Sequence, residues 1–120
     1  MAKNNKKELK ELEKWLEEEA EYLVEHVDAL VTYYTTETAR RAKLNCPVDT
    51  GYLRRSIKYK FYKNGDFVTG EVYVGAEYGI FVEFGTVYRN GTLFLSNAFT
   101  ENANKFYDEL LETFTKAQSI

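Results

Sequence analysis

The feature that most restricts the fold is a long stretch, from about Lys6 to Leu44, that contains neither glycine nor proline. Apolar residues recur in it at steps of three and four, which fits the 3.6-residue period of an α-helix. They are Leu9, Leu12, Leu16, Ala20, Leu23, Val27, Leu30 and Tyr34. A helix of this length reaches more than ~50 Å at ~1.5 Å per residue, whereas a compact domain of this size has a radius of gyration of roughly 14 Å. Part of the helix is therefore expected to overhang the domain, to bend, or to lie against another chain.

The expected overhang is residues 1–20, because lysines and glutamates surround the apolar positions there and leave only a narrow seam. The seam consists of Leu9, Leu12, Trp15 and Leu16. One interpretation is a solvated helix that carries weak ion pairs at its surface. The other is a surface that packs on a neighbouring subunit only after assembly.

The period of the sequence changes after Pro47, which ends the long helix. Asp49 or Thr50 can cap a short helical turn over 52–56. Aromatic and β-branched residues at 57–63 and 66–75 flank an Asn-Gly pair, which predicts a β-hairpin with its turn at 64–65.

The secondary structure of two segments near the carboxyl end is predicted from their turn and capping residues. Residues 77–84 suit a strand or two helical turns stopped by Gly85, and the short helix is favoured. Asn90-Gly91 indicates a second small hairpin or an exposed loop, and a final amphipathic helix is expected from about Ser96, with Ser96 as its N-cap. The whole chain, 1–120, is predicted to form one α+β domain, with a long N-terminal and a C-terminal helix packed on a small antiparallel sheet.

Composition excludes several classes of protein. A net charge of −3 gives no global positive field for a polyphosphate backbone, so sequence-specific binding of nucleic acid is not expected. No run of 18 apolar residues could cross a membrane, and the single cysteine, Cys46, cannot form an internal disulfide. These features predict a protein of a reducing cytoplasm.

No set of residues predicts catalysis, a metal site or a cofactor site. The only histidine, His26, is far along the chain from Cys46, so a nucleophile-base pair is a weak hypothesis. The triplet Asp49-Thr50-Gly51 matches the signature of aspartic proteases, but the apolar strand that such a site needs before it is missing. A capped turn explains the triplet more simply, and the chain is predicted not to be an enzyme.

Three segments, in this order and at this spacing, are similar to blocks of a known family. They are CPVDTGYLRRSI at 46–57, AEYGIFVEFGT at 76–86 and TLFLSNA at 92–98. They resemble the head-tail joining, or tail-completion, proteins of long-tailed bacteriophages, the family typified by gene product ten of a lambdoid coliphage. The chain departs from the family pattern at Cys46 and Gly79, and at Thr92-Leu93, where the family commonly has a proline.

The resemblance implies a structural subunit at the neck of a siphovirus-like particle or prophage, with no catalytic, metal-binding or cofactor-binding residues. Its partners would be other neck and tail proteins, namely the head connector and the tail terminator or tube. The subunit would join a homo-oligomeric ring, expected to be sixfold, and a monomer in solution is compatible with that role. It would assemble in the host cytoplasm and end in the virion neck or tail. The residues that carry the family motif are Pro47, Asp49, Thr50, Gly51, Leu53, Arg54, Ser56, Tyr78, Glu83, Phe84, Gly85 and Thr86.

Two further expectations follow. Phe84 and Gly85 would set a chain reversal, while Glu83 would accept hydrogen bonds from the amides of 50–51 or pair with an arginine of the first block. The candidate interface residues are Leu9, Leu12, Trp15, Leu16, Val87, Tyr88 and Arg89.

An alternative function is a DNA- or protein-binding accessory module of a mobile element, which would need a basic stripe on one face. The candidates for that stripe are Arg40, Arg41, Lys43, Arg54, Arg55, Lys58 and Lys60.

Overall fold

The computed structural model describes residues 2–47, 51–65 and 67–118. Within these ranges the chain forms helices α1 (Ala2–Asn45), α2 (Tyr52–Arg55), α3 (Gly79–Phe84) and α4 (Phe94–Gln118), and strands β1 (Ile57–Asn64) and β2 (Phe67–Val74). This order confirms the predicted α+β class. Residues 79–84 are helical, so the favoured reading of that ambiguous segment is also confirmed.

Helices α1 and α4 run antiparallel along one another. His26 of α1 lies beside Thr113 near the end of α4, and Arg41 lies beside Glu101 near its beginning. Because α4 ends at Gln118, the first part of α1 extends beyond it, and every side chain from 6 to 18 is exposed. The molecule is accordingly elongated, with extents of 79 × 24 × 20 Å.

The hairpin packs one face of its two strands on α1. Alternate residues of a strand point to opposite faces, and the register places Ile57 opposite Val74 and Tyr59 opposite Val72. At the closest approach to the helix, a Cβ atom on Gly70 would lie 1.8 Å from Thr35 Oγ1 and 2.9 Å from Thr35 Cβ. Gly70 therefore allows the backbone of β2 to cross α1 without a gap.

The core lies where the end of α1 meets α2, the base of the hairpin and the beginning of α4. Its members are small apart from Leu53, Ile57 and Phe94, and of these Ile57 and Phe94 are the most completely buried. They are Ala39, Ala42, Cys46, Leu53, Ile57, Ala76, Phe94 and Ala98. Small side chains on α1 and α4 allow the two helices to approach closely at this end of the molecule.

Two predicted boundaries are wrong by one or two residues. Asn64 pairs with Phe67, so the two-residue connection occupies positions 65–66 instead of 64–65. Gly65 has the positive φ, 62°, that such turns require, while Asp66 lies outside the described residues. Helix α4 begins at Phe94, two residues before Ser96, because the group that caps it comes from elsewhere in the chain, as shown below.

The close crossing at Gly70 predicts that Gly70→Ala lowers the free energy of unfolding by about 1–3 kcal/mol, because the added methyl group overlaps Thr35. Urea unfolding followed by circular dichroism measures the change. Gly75→Ala is the matched control, since a Cβ there would make only ordinary contacts, the nearest at 3.5 Å. Adding Thr35→Ala should restore part of the loss, and strict additivity of the two changes would contradict the proposed overlap.

Candidate interaction surface

The most informative polar group is the Glu83 carboxylate, which is buried with only 5% of the residue exposed. Its Oε2 accepts a hydrogen bond from the Leu95 amide at 2.8 Å, and its Oε1 accepts one from the Ser96 amide at 2.8 Å and another from the Ser96 hydroxyl. These amides belong to the first turn of α4, where a helix has no intrahelical acceptors for its N–H groups. Glu83 therefore caps α4 from another helix, and its negative charge suits the positive end of the helix dipole.

Leu93, the residue before α4, cannot supply this cap. Its carbonyl accepts the Asn97 amide at 2.9 Å, which is the ordinary N-cap geometry, but its side chain has no oxygen for the following amides. Leu93 also has a φ of 51°, a conformation that is costly for a branched side chain. A backbone hydrogen bond to α3 stabilises this conformation, since the Leu93 amide donates to the Glu83 carbonyl at 3.0 Å.

The partners of Glu83 differ from those expected from the sequence. The carboxylate binds the third sequence block, at Leu95 and Ser96, and not the Gly51 amide. The hydrogen bonds and ion pairs of the described residues join it to neither Arg54 nor Arg55. Asp49 and Thr50 lie outside the described residues.

Between α3 and α4 the chain forms a tight loop, residues 85–91, which we call the tip loop. Gly85 and Asn90 form an isolated antiparallel bridge, and the Thr86 amide donates to the Arg89 carbonyl at 2.8 Å. Gly85 has a φ of 89°, and a Cβ there would lie 2.5 Å from the Gly91 nitrogen. A Cβ on Gly91 would lie 2.4 Å from the Glu83 carbonyl oxygen. Both glycines are needed for the two backbone segments to stack.

The tip loop presents two apolar side chains to solvent. Val87 is 95% exposed and Tyr88 is 93% exposed, more than any other large hydrophobic residue in the described chain. On α3, Phe81 and Phe84 are also largely exposed. Several large apolar side chains exposed within one short segment, 81–88, are typical of an interaction site, and here the segment is a helix followed by a loop closed by hydrogen bonds.

The first sequence block has mainly structural contacts. Gly51, with a φ of 77°, is the N-cap residue of α2, Leu53 is buried in the core, and the Ser56 hydroxyl donates to the Leu53 carbonyl at 2.7 Å. Pro47 is exposed just after α1, and the buried Arg54 Nε has no hydrogen-bond partner in the described chain.

The first and second blocks meet through small residues and rings. The ring centroids of Tyr78 and Tyr52 lie 6.1 Å apart, and a Cβ on Gly79 would lie 3.4 Å from Leu53 Cδ1. Thr86 acts within the tip loop, where its hydroxyl accepts the Tyr88 amide at 3.2 Å. The structure thus brings the described parts of all three blocks together at one end of the molecule, whereas the seam of Leu9, Leu12, Trp15 and Leu16 lies at the far end of α1.

His26 and Cys46, the two residues considered as a nucleophile-base pair, do not converge. His26 lies near the middle of α1 and Cys46 directly follows its end, which places them ~30 Å apart at 1.5 Å per residue. His26 Nε2 instead lies 3.1 Å from Thr113 Oγ1. Cys46 is only 3% exposed, and burial raises the pKa of its thiol. In the described ranges, histidine, cysteine and carboxylate side chains form no group of three that could hold a metal ion.

Three of the basic residues proposed for a DNA-binding stripe face carboxylates. Lys60 Nζ lies 4.0 Å from Glu71 Oε1 across the hairpin. Arg40 is 2.8 Å from Glu37 on the same helix. Arg41 is 3.2 Å from Glu101 on α4, and the Arg41 guanidinium lowers the pKa of the Glu101 carboxyl. These pairs neutralise part of the charge that a phosphate backbone would need.

A groove that the sequence did not predict lies beside β2. Its volume is about 780 Å³, and we call it the β2 groove. Its floor is α1 at Val31, Tyr34, Thr35 and Thr38, one wall is β2 at 68–72, and the other wall is α4 from Leu95 to Tyr107. Tyr34 donates a hydrogen bond to Glu109, and this bond together with burial raises the pKa of Tyr34 to about 12. No pattern within one segment of the sequence predicts the groove, because residues of three separate elements line it.

Comparison with models of protein families identifies a match. A family model described as "HK97-gp10_like: Bacteriophage HK97-gp10, putative tail-component" matches residues 4–85. The matched segment is more than half of the chain and runs from the beginning of α1 through Glu83. Searches of curated proteins and of solved structures gave no significant match. Across the described part of the chain, the helices are too short or too polar to cross a lipid bilayer.

The capping role of Glu83 predicts that Glu83→Gln lowers the free energy of unfolding by about 1–3 kcal/mol, because an amide NH₂ replaces one acceptor facing a buried N–H donor. Thermal and urea unfolding measure the loss. Glu77→Gln, at an exposed position in the same segment, is the matched control and should change stability by less than about 0.5 kcal/mol. Equal stability of the two variants would show that Glu83 does not hold α4.

Proposed function

The chain belongs to the HK97-gp10-like family of bacteriophage tail components, and from that membership we propose that it is a ring subunit that completes the neck or tail and allows head and tail to join. The membership confirms the family inferred from the sequence motifs and gives the protein a structural role in a phage particle. The joining step, the ring and assembly in the host cytoplasm are our proposal.

The observation that carries the proposal is the presence of two separate apolar surfaces that the chain does not cover itself. One is the seam of Leu9, Leu12, Trp15 and Leu16, where each side chain is exposed. The other is the tip loop with α3, at the opposite end of a molecule 79 Å long. A subunit with one adhesive surface can dimerise, whereas a component that joins two parts of a particle needs at least two.

The chemistry of these surfaces fits binding between proteins better than catalysis. Exposed tyrosine, phenylalanine and tryptophan side chains are typical of interfaces that are wet before assembly and buried after it. Their backbone supports are rigid, since one surface is on a continuous helix and the other on a loop closed by hydrogen bonds. We therefore propose a non-enzymatic role in which the partners are other neck and tail proteins, such as the head connector and the tail terminator or tube.

Disruption of the gene in its phage or prophage should leave filled heads beside unattached tails in electron micrographs of lysates. Supplying the protein from a plasmid should restore joined, infectious particles. Normal, infectious particles from the disrupted phage would contradict the proposed joining function. Heads without any tails would place the protein in tail formation before joining.

If the seam is an interface, substitutions in it should impair assembly of the particle without impairing folding of the chain. Changing Leu9, Leu12, Trp15 and Leu16 together to Gln should alter the free energy of unfolding by less than about 1 kcal/mol, because none of these side chains is buried. The same variant should fail to restore joined particles, which plaque titre and electron microscopy measure.

The matched control for the seam changes Lys10, Lys14, Glu17 and Glu21 to Gln. These four residues lie on the opposite face of the helix, and their replacement keeps the net charge constant. The control should restore particles as well as the unchanged protein does. If the seam variant also restores them fully, the first part of α1 is a solvated helix and not an interface.

A further inference from the structure

Within the function proposed above, on which this inference rests, we propose that the β2 groove receives the tip loop of a second copy of this chain. Three observations support the pairing: the unpaired edge of β2 in the groove, the fixed and exposed apolar residues of the tip loop, and the single charge that each surface contributes.

The groove is bounded by a strand edge that has no partner in the described chain. Strand β2 pairs only with β1, and consecutive residues 68–72 line the groove. Neighbouring side chains of a strand point to opposite faces, so a consecutive run in one lining means that the backbone edge faces the space. Such an edge offers N–H and C=O groups to a polar backbone from another chain.

The tip loop has the exposed apolar side chains and the fixed backbone that a segment bound in the β2 groove needs. Val87 and Tyr88 are almost fully exposed, and the Gly85–Asn90 bridge fixes the backbone that carries them. A fixed loop loses little conformational freedom when it docks. No residue of the tip loop is among the described residues that line the groove of the same molecule, so the occupant would come from a neighbour.

Size and charge agree with this pairing. A groove of about 780 Å³ is within the range of sites that bury a whole small ligand, so it can accept a valine and a tyrosine side chain. Glu71 is the only charged residue among the described residues that line it, and Arg89 is the only charged residue of the tip loop. Glu71 already lies 4.0 Å from Lys60 of its own hairpin, but an exposed ion pair at that distance is weak and leaves the carboxylate able to accept a second cation. Arg89 of one copy would then pair with Glu71 of the next.

The two surfaces are different, so each bound copy still has a free tip loop or a free groove. Contacts of this head-to-tail kind extend until they close into a ring. The pairing therefore supplies a physical basis for the ring within the proposed function, without requiring any contact from the first part of α1.

The direct test places the photo-crosslinking residue p-benzoylphenylalanine at position 88 of the full-length chain. Irradiated particles should yield a crosslinked dimer, and mass spectrometry should locate the bond at residues 68–72 or 95–107. The same crosslinker at Tyr22, which is also exposed, is the control and should not reach those residues. Crosslinks from position 88 to another protein, or to a different surface of this chain, would overturn the proposal.

A charge exchange tests the same contact independently of the crosslinker. Arg89→Glu and Glu71→Lys should each lower the plaque titre in the complementation assay by about tenfold or more, since each places like charges together in the contact. The double variant should recover most of the titre because the opposite charges are restored in the reverse order. Thermal unfolding of each variant excludes loss of folding as the cause, including any loss from the repulsion that Glu71→Lys introduces beside Lys60.

The outcomes separate this inference from the function on which it rests. If the double variant is no better than the single variants, or if the single variants have no effect, the contact between tip loop and groove is refuted. The joining function then stands as long as the unchanged protein still rescues the disrupted phage.

Discussion

The arrangement of the second half of the molecule depends on one buried carboxylate. Glu83 lies at the end of α3 and accepts hydrogen bonds from Leu95 and Ser96 at the beginning of α4. Hydrogen bonds to a charged group contribute about 1.5–3 kcal/mol each, and no other described side chain supplies the acceptors for these amides. The carboxylate fixes where α4 begins, which determines how α4 lies along α1. Consequently it also sets one wall of the β2 groove and one support of the tip loop.

The parts of the fold that local sequence signals specify were predictable. Helix α1 follows from a regular apolar period without glycine or proline, and the hairpin follows from aromatic and β-branched residues around a turn. The family motif pointed to Glu83 as structurally important, but its partners could not be read from the sequence. They lie twelve and thirteen residues further along the chain, with a loop between. Ser96 was expected to cap α4 because the usual cap is a local side chain, and that expectation failed because Glu83 performs this role from another helix.

The candidate interfaces differ in how far the sequence reveals them. The seam of α1 is visible as apolar residues among lysines and glutamates, and the tip loop is visible as Val-Tyr before Asn-Gly. The β2 groove is not visible, because its floor and walls come from three elements whose positions depend on the Gly70–Thr35 crossing and on Glu83. Surfaces carried by one element can thus be predicted from sequence, whereas a concave site between elements requires the fold.

The small core and the large exposed apolar surface are related. Four of the eight buried residues in the core cluster are alanines, while Val87, Tyr88 and the seam contribute little to the stability of the isolated chain. A chain built in this way can fold without a partner, since its exposed apolar side chains lie on backbone that is held by its own hydrogen bonds. If the tip loop and the groove join neighbouring copies, the first part of α1 remains available to every copy in the ring. The length of α1 would then allow it to contact a different protein of the particle, and contacts within the ring would not compete with contacts between the ring and its neighbours.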